Sequence, residues 1–205
     1  MRAVIDIDGV LANFNEAYCK LIIKESGENK FPIDWEYAIK ENQTFPPCWN
    51  YPEFYGYDKG WIHNHIWKKC IGFDDSFWFS LDPLPGAEIA LDKLNGMSYD
   101  GDDIYFLTSR PGYKSKIQTE QWLLAYGMDY PTVIMCDKFE DKIPFLRTHK
   151  INLFIDDKIE TVQQAIKETF VDRVYLKDAP YNRGVWSQEI RVASSIMDMF
   201  EQEGI

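Results

Sequence analysis

The residues of this chain best able to do chemistry are carboxylates that follow apolar runs. Asp6-Ile7-Asp8-Gly9-Val10 closes the apolar stretch 3–7. Two carboxylates two residues apart on an extended strand share a face, and the glycine permits a sharp turn that brings the Asp8 backbone carbonyl inward as well. Such a set suits magnesium, which takes a few protein oxygens and keeps waters for a substrate phosphate. An Asp-rich turn capping a helix is the plainer reading of the same residues. A second pair, Asp156-Asp157, follows Asn152-Leu153-Phe154-Ile155 directly. Adjacent carboxylates repel, so their placement suggests a cation between them. An N-cap and a first-turn acid for a helix starting near Lys158 would also account for them.

Thr108-Ser109-Arg110-Pro111-Gly112 sits between an apolar run and a helical segment. A hydroxyl and free backbone N–H groups at a strand-to-helix turn make a phosphate cradle, or an ordinary helix cap. A cation for a transferring phosphoryl group is expected at Lys138, directly after the apolar run 132–135. Lys142, one helical turn later, is the competitor. Singly each cluster has a bland explanation. Together they place metal carboxylates, phosphate donors and further carboxylates at the ends of separate runs.

The elements that must position these groups are legible as alternation. Apolar runs at 3–7, 104–107, 132–135, 153–155 and 173–176 are separated by helical segments, the βαβ signature of a parallel sheet. Residues 114–126 place Ile117, Trp122, Leu123 and Leu124 near helical spacing and end at Gly127, a residue suited to positive φ. Residues 158–170 put Ile159, Val162, Ile166 and Phe170 on one stripe. The expected fold is α/β: a Rossmann-like parallel sheet with helices on both faces. Residues 14–79 break the rhythm. They hold five of the seven tryptophans and read as a helical cap inserted after the first strand, the catalytic core being 1–13 and 80–205.

With 22 basic and 33 acidic residues the formal net charge is −11, which disfavours stable nucleic-acid binding but not a small anion met by a bound cation. The start, MRAVIDIDGV, enters a strand without the features of a signal peptide, and no apolar run would span a bilayer. Four cysteines without CxxC spacing read as free thiols. These features predict a cytoplasmic protein with no membrane partner, and leave a homodimer open.

In order and position, Asp6-Ile7-Asp8-Gly9-Val10, Thr108-Ser109-Arg110, Lys138 and Asp156-Asp157 resemble the four motifs of the haloacid dehalogenase-like hydrolases. The resemblance implies Asp6 as the phosphorylated nucleophile and Asp8 as acid/base. It implies Thr108 and Lys138 as the groups that hold the phosphate, with Ser109 and Arg110 of the same turn as further candidate phosphate-binding residues, and a Mg²⁺ site from Asp6, Asp8, Asp156 and Asp157. An acid at position 8 points to a phosphatase or phosphomutase, because a leaving alkoxide needs a proton and the same group can later activate water. Residues 77–87 and Ala179-Pro180-Tyr181-Asn182-Arg183 are similar to the 5′(3′)-deoxyribonucleotidases and their bacterial and phage relatives. That closer likeness implies a nucleoside monophosphate, pyrimidine deoxyribonucleotides first, with cap aromatics such as Phe73 and Trp78 facing the base. A phosphatase of sugar phosphates or of nucleic-acid ends is the alternative. His63 and His65 with Cys48 and Cys70 fit no standard zinc spacing, and the two histidines are expected on the cap surface or near its opening.

Overall fold

The computed structural model describes residues 1–40, 48, 50–137, 141–184 and 189–205. Its sheet is built from β1 (Arg2–Ile5), β2 (Asp103–Thr108), β3 (Thr132–Met135), β4 (Leu153–Asp156), β5 (Arg173–Lys177) and β6 (Arg191–Ala193). The strands lie in the order β3-β2-β1-β4-β5-β6, and every pairing is parallel. β1 is central, and its Ala3, Val4 and Ile5 are wholly buried, as a parallel strand covered on both faces requires. Successive residues point to opposite sides. Ala3 and Ile5 pack with Phe106, Ile155 and Tyr175, whereas Val4 packs with Leu107, Phe154 and Leu176.

Helices cover both faces. On one side α7 (Lys142–Thr148) and α8 (Ile159–Glu168) supply Ile143, Leu146, Val162 and Ala165. On the other, α5 (Ala87–Tyr99), α6 (Ser115–Ala125) and α9 (Ile196–Glu203) supply Leu91, Leu94, Trp122 and Phe200. Residues 14–79 form α1 (Phe14–Ser26), α2 (Trp35–Lys40), α3 (Tyr51–Phe54), α4 (Lys59–Trp61) and a ten-residue π-helix, Ile62–Ile71. Phe14, Tyr18, Ile22, Ile62 and Ile66 of this segment belong to the same apolar cluster as Ala3 and Ile5. Among the described residues no helix is long and apolar enough to cross a membrane.

Four expectations about elements are corrected. β1 ends at Ile5, and residues 6 and 7 bend into the following turn, although Ile7 stays fully buried. β6 was not anticipated: it is three residues long at the sheet edge, too short to give an alternation signal. In α6, Ile117 and Leu124 are exposed and the buried face is Gln118, Thr119, Trp122 and Leu123. The polar members are held inside by function as anchors, since Gln118 accepts from the Trp78 N–H at 2.8 Å and donates to the Asp74 carbonyl at 2.8 Å. In α8, Phe170 lies beyond the helix end and is 91% exposed, Ile166 is also outward, and Thr161, Val162 and Ala165 make the inner face.

Sheet register sets the site. Ile5 pairs with Phe106 on one side and Ile155 on the other, so Asp6, Asp156 and Thr108 emerge at neighbouring strand ends. The strand order reverses between β1 and β4, the switch point at which open α/β sheets bind ligands.

Candidate active site

Asp6 continues the ladder by one bond, its N–H donating to the Ile155 carbonyl at 3.0 Å. Its carboxylate, 6% exposed, meets the Lys142 ammonium at 2.8 Å. Lys142 opens α7, and its Nζ also donates to Asp156 Oδ2 at 2.7 Å. Asp156 Oδ1 accepts from the Lys158 N–H at 2.8 Å, which caps the turn into α8. Asp157 accepts from the Tyr181 hydroxyl, and its backbone carbonyl accepts from Asn182 Nδ2 at 2.8 Å. The chain crosses this cluster closely at Gly9, where φ is +78° and an added Cβ would lie 2.2 Å from Asp157 Oδ2.

Oxygens of Asp6, Asp156 and Asp157 lie within 4.8 Å of one another. Three buried carboxylates face one ammonium, so two negative charges stay unmatched by any ion pair among the described residues. That excess, made of hard oxygen donors, fits a divalent cation such as magnesium. The electrostatics agree. Burial pushes the Asp6 carboxyl well above the usual carboxylate range, with Lys142 opposing. Burial and then Asp156 push Asp157 up to about 7, with the Tyr181 hydrogen bond opposing. Burial works against the Lys142 charge, but Asp156 and Asp6 outweigh it and raise the ammonium's pKa.

Asp8 stands apart from this triad. Arg110, 3% exposed, clasps the Asp8 carboxylate through Nη2 at 2.8 Å and Nε at 3.0 Å and donates through Nη1 to Thr119 Oγ1 at 3.0 Å. Its guanidinium also lies 5.0 Å from the Trp78 ring centroid. Three of the five N–H donors of Arg110 are thereby engaged by Asp8 and Thr119. Thr108 is buried, and the Ser109 hydroxyl is buried without a hydrogen-bond partner among the described residues, an unmet polar group of the kind a bound ligand satisfies.

A cavity of about 840 Å³ opens over these groups and is lined on the sheet side by Asp6, Asp8, Ser109 and Lys142. Its other wall is Phe14, Trp67, Phe73, Trp78 and Tyr113, with His63 and Lys68 at the same wall. The sequence singled out Phe73 and Trp78 and both line the cavity, in unlike ways: Phe73 is 72% exposed, whereas Trp78 is 2% exposed. Lys138 lies outside the described residues, and the lysine brought to the carboxylates is Lys142. Its position was hard to read because a lysine one turn past a strand end resembles a solvated helix residue. Phe14, Trp67 and Tyr113 were missed as lining residues, and Tyr181 and Asn182 were noticed only through the family likeness. They approach the site by tertiary packing, which leaves no local pattern.

A parallel sheet with acidic groups gathered at its switch point is the Rossmann-like α/β class. No family model matches the chain. It is 35% identical over 168 residues to a protein of Halalkalibacterium halodurans named "Putative nucleotidase", spanning 76% of this chain and 83% of that one. A Bacillus cereus protein of the same name is 29% identical over 149 residues, spanning 68% and 71%. In structure the chain resembles a haloacid dehalogenase-like family hydrolase from Streptococcus pneumoniae, with a TM-score of 0.63 at 13% identity, covering 98% of this chain and 97% of that one. The chain belongs to the family of these proteins named "Putative nucleotidase", and its fold is that of a haloacid dehalogenase-like hydrolase.

Proposed function

We propose that the protein is a magnesium-dependent phosphomonoesterase that forms an aspartyl-phosphate on Asp6 and acts on nucleoside monophosphates, with residues 14–79 serving as the cap that selects the leaving group. The observation carrying the reading is the buried Asp6, Asp156, Asp157 and Lys142 cluster beneath a large aromatic-walled cavity. Magnesium held by Asp6, Asp156 and Asp157 would supply a divalent charge against the phosphate oxygens.

In the first half-reaction an Asp6 oxygen attacks phosphorus, the P–O bond to the leaving group breaks, and Asp8 gives its proton to the departing alkoxide. In the second, Asp8 takes a proton from water as that water attacks the phosphorus of phospho-Asp6, releasing inorganic phosphate and restoring the carboxylate. Arg110 positions Asp8 throughout by its two-nitrogen contact. Lys142 neutralises charge near the transferring group, the role the sequence had assigned to Lys138. Ser109 Oγ, without a partner among the described residues, is available to a phosphate oxygen beside Thr108.

Flat aromatic faces on the cap side suit a base better than a polar sugar, and a cavity of about 840 Å³ falls within the range of small-molecule sites. The nucleotidase names of the two relatives point the same way. Turnover of a panel of nucleoside and sugar monophosphates, with magnesium and with EDTA, tests the reading. Asp6→Asn should abolish turnover. Asp8→Asn should lower kcat by about 10² to 10⁴ while substrate still binds. Full activity in Asp6→Asn or in EDTA overturns the mechanism, and a hexose phosphate outranking every nucleotide in kcat/KM overturns the substrate.

A further inference from the structure

Residues 14–79 carry a second cluster of metal-ligating side chains. Glu25 lies in the last turn of α1, and His65 and Cys70 lie on the π-helix. One ligand atom from each falls within a common radius, all within 4.8 Å of one another, and His65 Nε2 is 2.9 Å from Glu25 Oε2.

The π-helix is what makes this possible. In an α-helix of 3.6 residues per turn, residues five apart diverge by about 140°. Closure from i to i+5 brings them to one side instead, and that closure is seen at the helix end, where the Gly72 N–H donates to the Trp67 carbonyl at 2.9 Å. The imidazole is held in place by Trp61, whose ring stacks on it at 5.4 Å and 15°. Its Nε2 thereby faces α1. All three groups are reachable from solvent, with His65 and Glu25 side chains each 28% exposed.

A thiolate, an imidazole and one carboxylate form a borderline-soft donor set, unlike the all-oxygen set of the candidate active site. Such a set selects zinc or a neighbouring transition metal over magnesium. Three protein ligands leave a fourth position for water. We propose that Glu25, His65 and Cys70 form a zinc-class metal site that clamps α1 to the π-helix. The same π-helix carries His63, Trp67 and Lys68 at the cavity wall, so occupancy would stiffen one side of the substrate cavity. The proposal stands independently of the assigned activity.

Cobalt(II), added to the protein saturated with magnesium, is the probe. One equivalent should produce a thiolate-to-cobalt charge-transfer band, which zinc should bleach. The band should vanish in Cys70→Ser, weaken at least tenfold in affinity in His65→Ala, and persist in Cys48→Ser. Zinc should raise the Tm of the wild type and leave that of Cys70→Ser unmoved, while the magnesium-dependent turnover of Cys70→Ser is retained. Absence of the band in the wild type, or its survival in Cys70→Ser, overturns the proposal. Should a variant unfold, Glu25→Gln tests the same site from α1 and should also lose tenfold or more in cobalt affinity.

Discussion

An ammonium buried between two carboxylates holds its proton because each anion lowers the energy of the charged form more than burial raises it. Lys142 is in that position, 2.8 Å from Asp6 and 2.7 Å from Asp156. It orders Asp6, the nucleophile under the proposed function, and leaves an excess of carboxylate charge in the cluster. Lys142→Ala should therefore lower kcat by about 10² to 10³, the usual loss for one preorganised charge contact of about 2.7 to 4 kcal/mol. It should also lower the Tm of the metal-free protein, since removing one partner of a buried pair costs about 3 to 5 kcal/mol. Magnesium should restore part of that Tm by occupying the vacated charge deficit. Lys138→Ala measured alongside decides the assignment: a loss there equal to or above that of Lys142→Ala would return the role to Lys138.

The turn that follows β1 shows how an element carries a site. Asp8-Gly9-Val10 must double back so that Ala12 can bridge Pro83, and the Leu11 and Ala12 N–H groups both donate to the Ile7 carbonyl at 2.8 Å. Gly9 adopts φ +78° with Asp157 Oδ2 and the Tyr181 hydroxyl in the space a side chain would fill. Gly27 has a similar φ of +70° and open space around it. The pair separates backbone strain from steric contact. Both Gly9→Ala and Gly27→Ala should lose stability through positive φ, but only Gly9→Ala should displace Asp157. Its magnesium requirement or kcat should worsen by about 10- to 100-fold, as for other changes behind a metal ligand; equal activity in the two variants would remove the turn from the metal site. Much of this was legible. Five of the six strands, the two carboxylate pairs and the Thr108-Ser109-Arg110 turn follow from apolar runs ending in polar clusters. Arg110 clasping Asp8, Lys142 between Asp6 and Asp156, and the π-helical register of His65 and Cys70 were not legible. Each depends on side-chain direction or helix pitch, and periodicity in sequence carries neither.

Over the whole molecule one apolar cluster runs from Ala3 and Ile5 of the sheet to Tyr18, Ile62 and Ile66 of residues 14–79, so the aromatic wall of the cavity and the chemical groups beneath it share a common support. Trp78 is the residue at that junction. It is 2% exposed, packs on Phe14 at 5.8 Å, donates from Nε1 to the Pro111 carbonyl at 3.0 Å, and lies against the guanidinium that holds Asp8. Phe73 lines the same cavity but is 72% exposed. The two aromatics should therefore fail differently. Trp78→Ala should cost about 3 to 5 kcal/mol of stability and lower turnover of every phosphate ester, because the Arg110 and Asp8 pair loses its backing. Phe73→Ala should change stability by no more than about 0.5 kcal/mol, as for other surface positions. If a base stacks on it, the loss of about 1 to 3 kcal/mol of stacking should raise KM for nucleoside monophosphates by roughly 5- to 150-fold, while kcat/KM for a small aryl phosphate stays near the wild-type value. Thermal denaturation and steady-state kinetics on both substrates check the contrast. An equal KM increase for the aryl phosphate in Phe73→Ala would mean that the exposed ring shapes access to the phosphate site, and the division between a sheet that reacts and a cap that selects would fail.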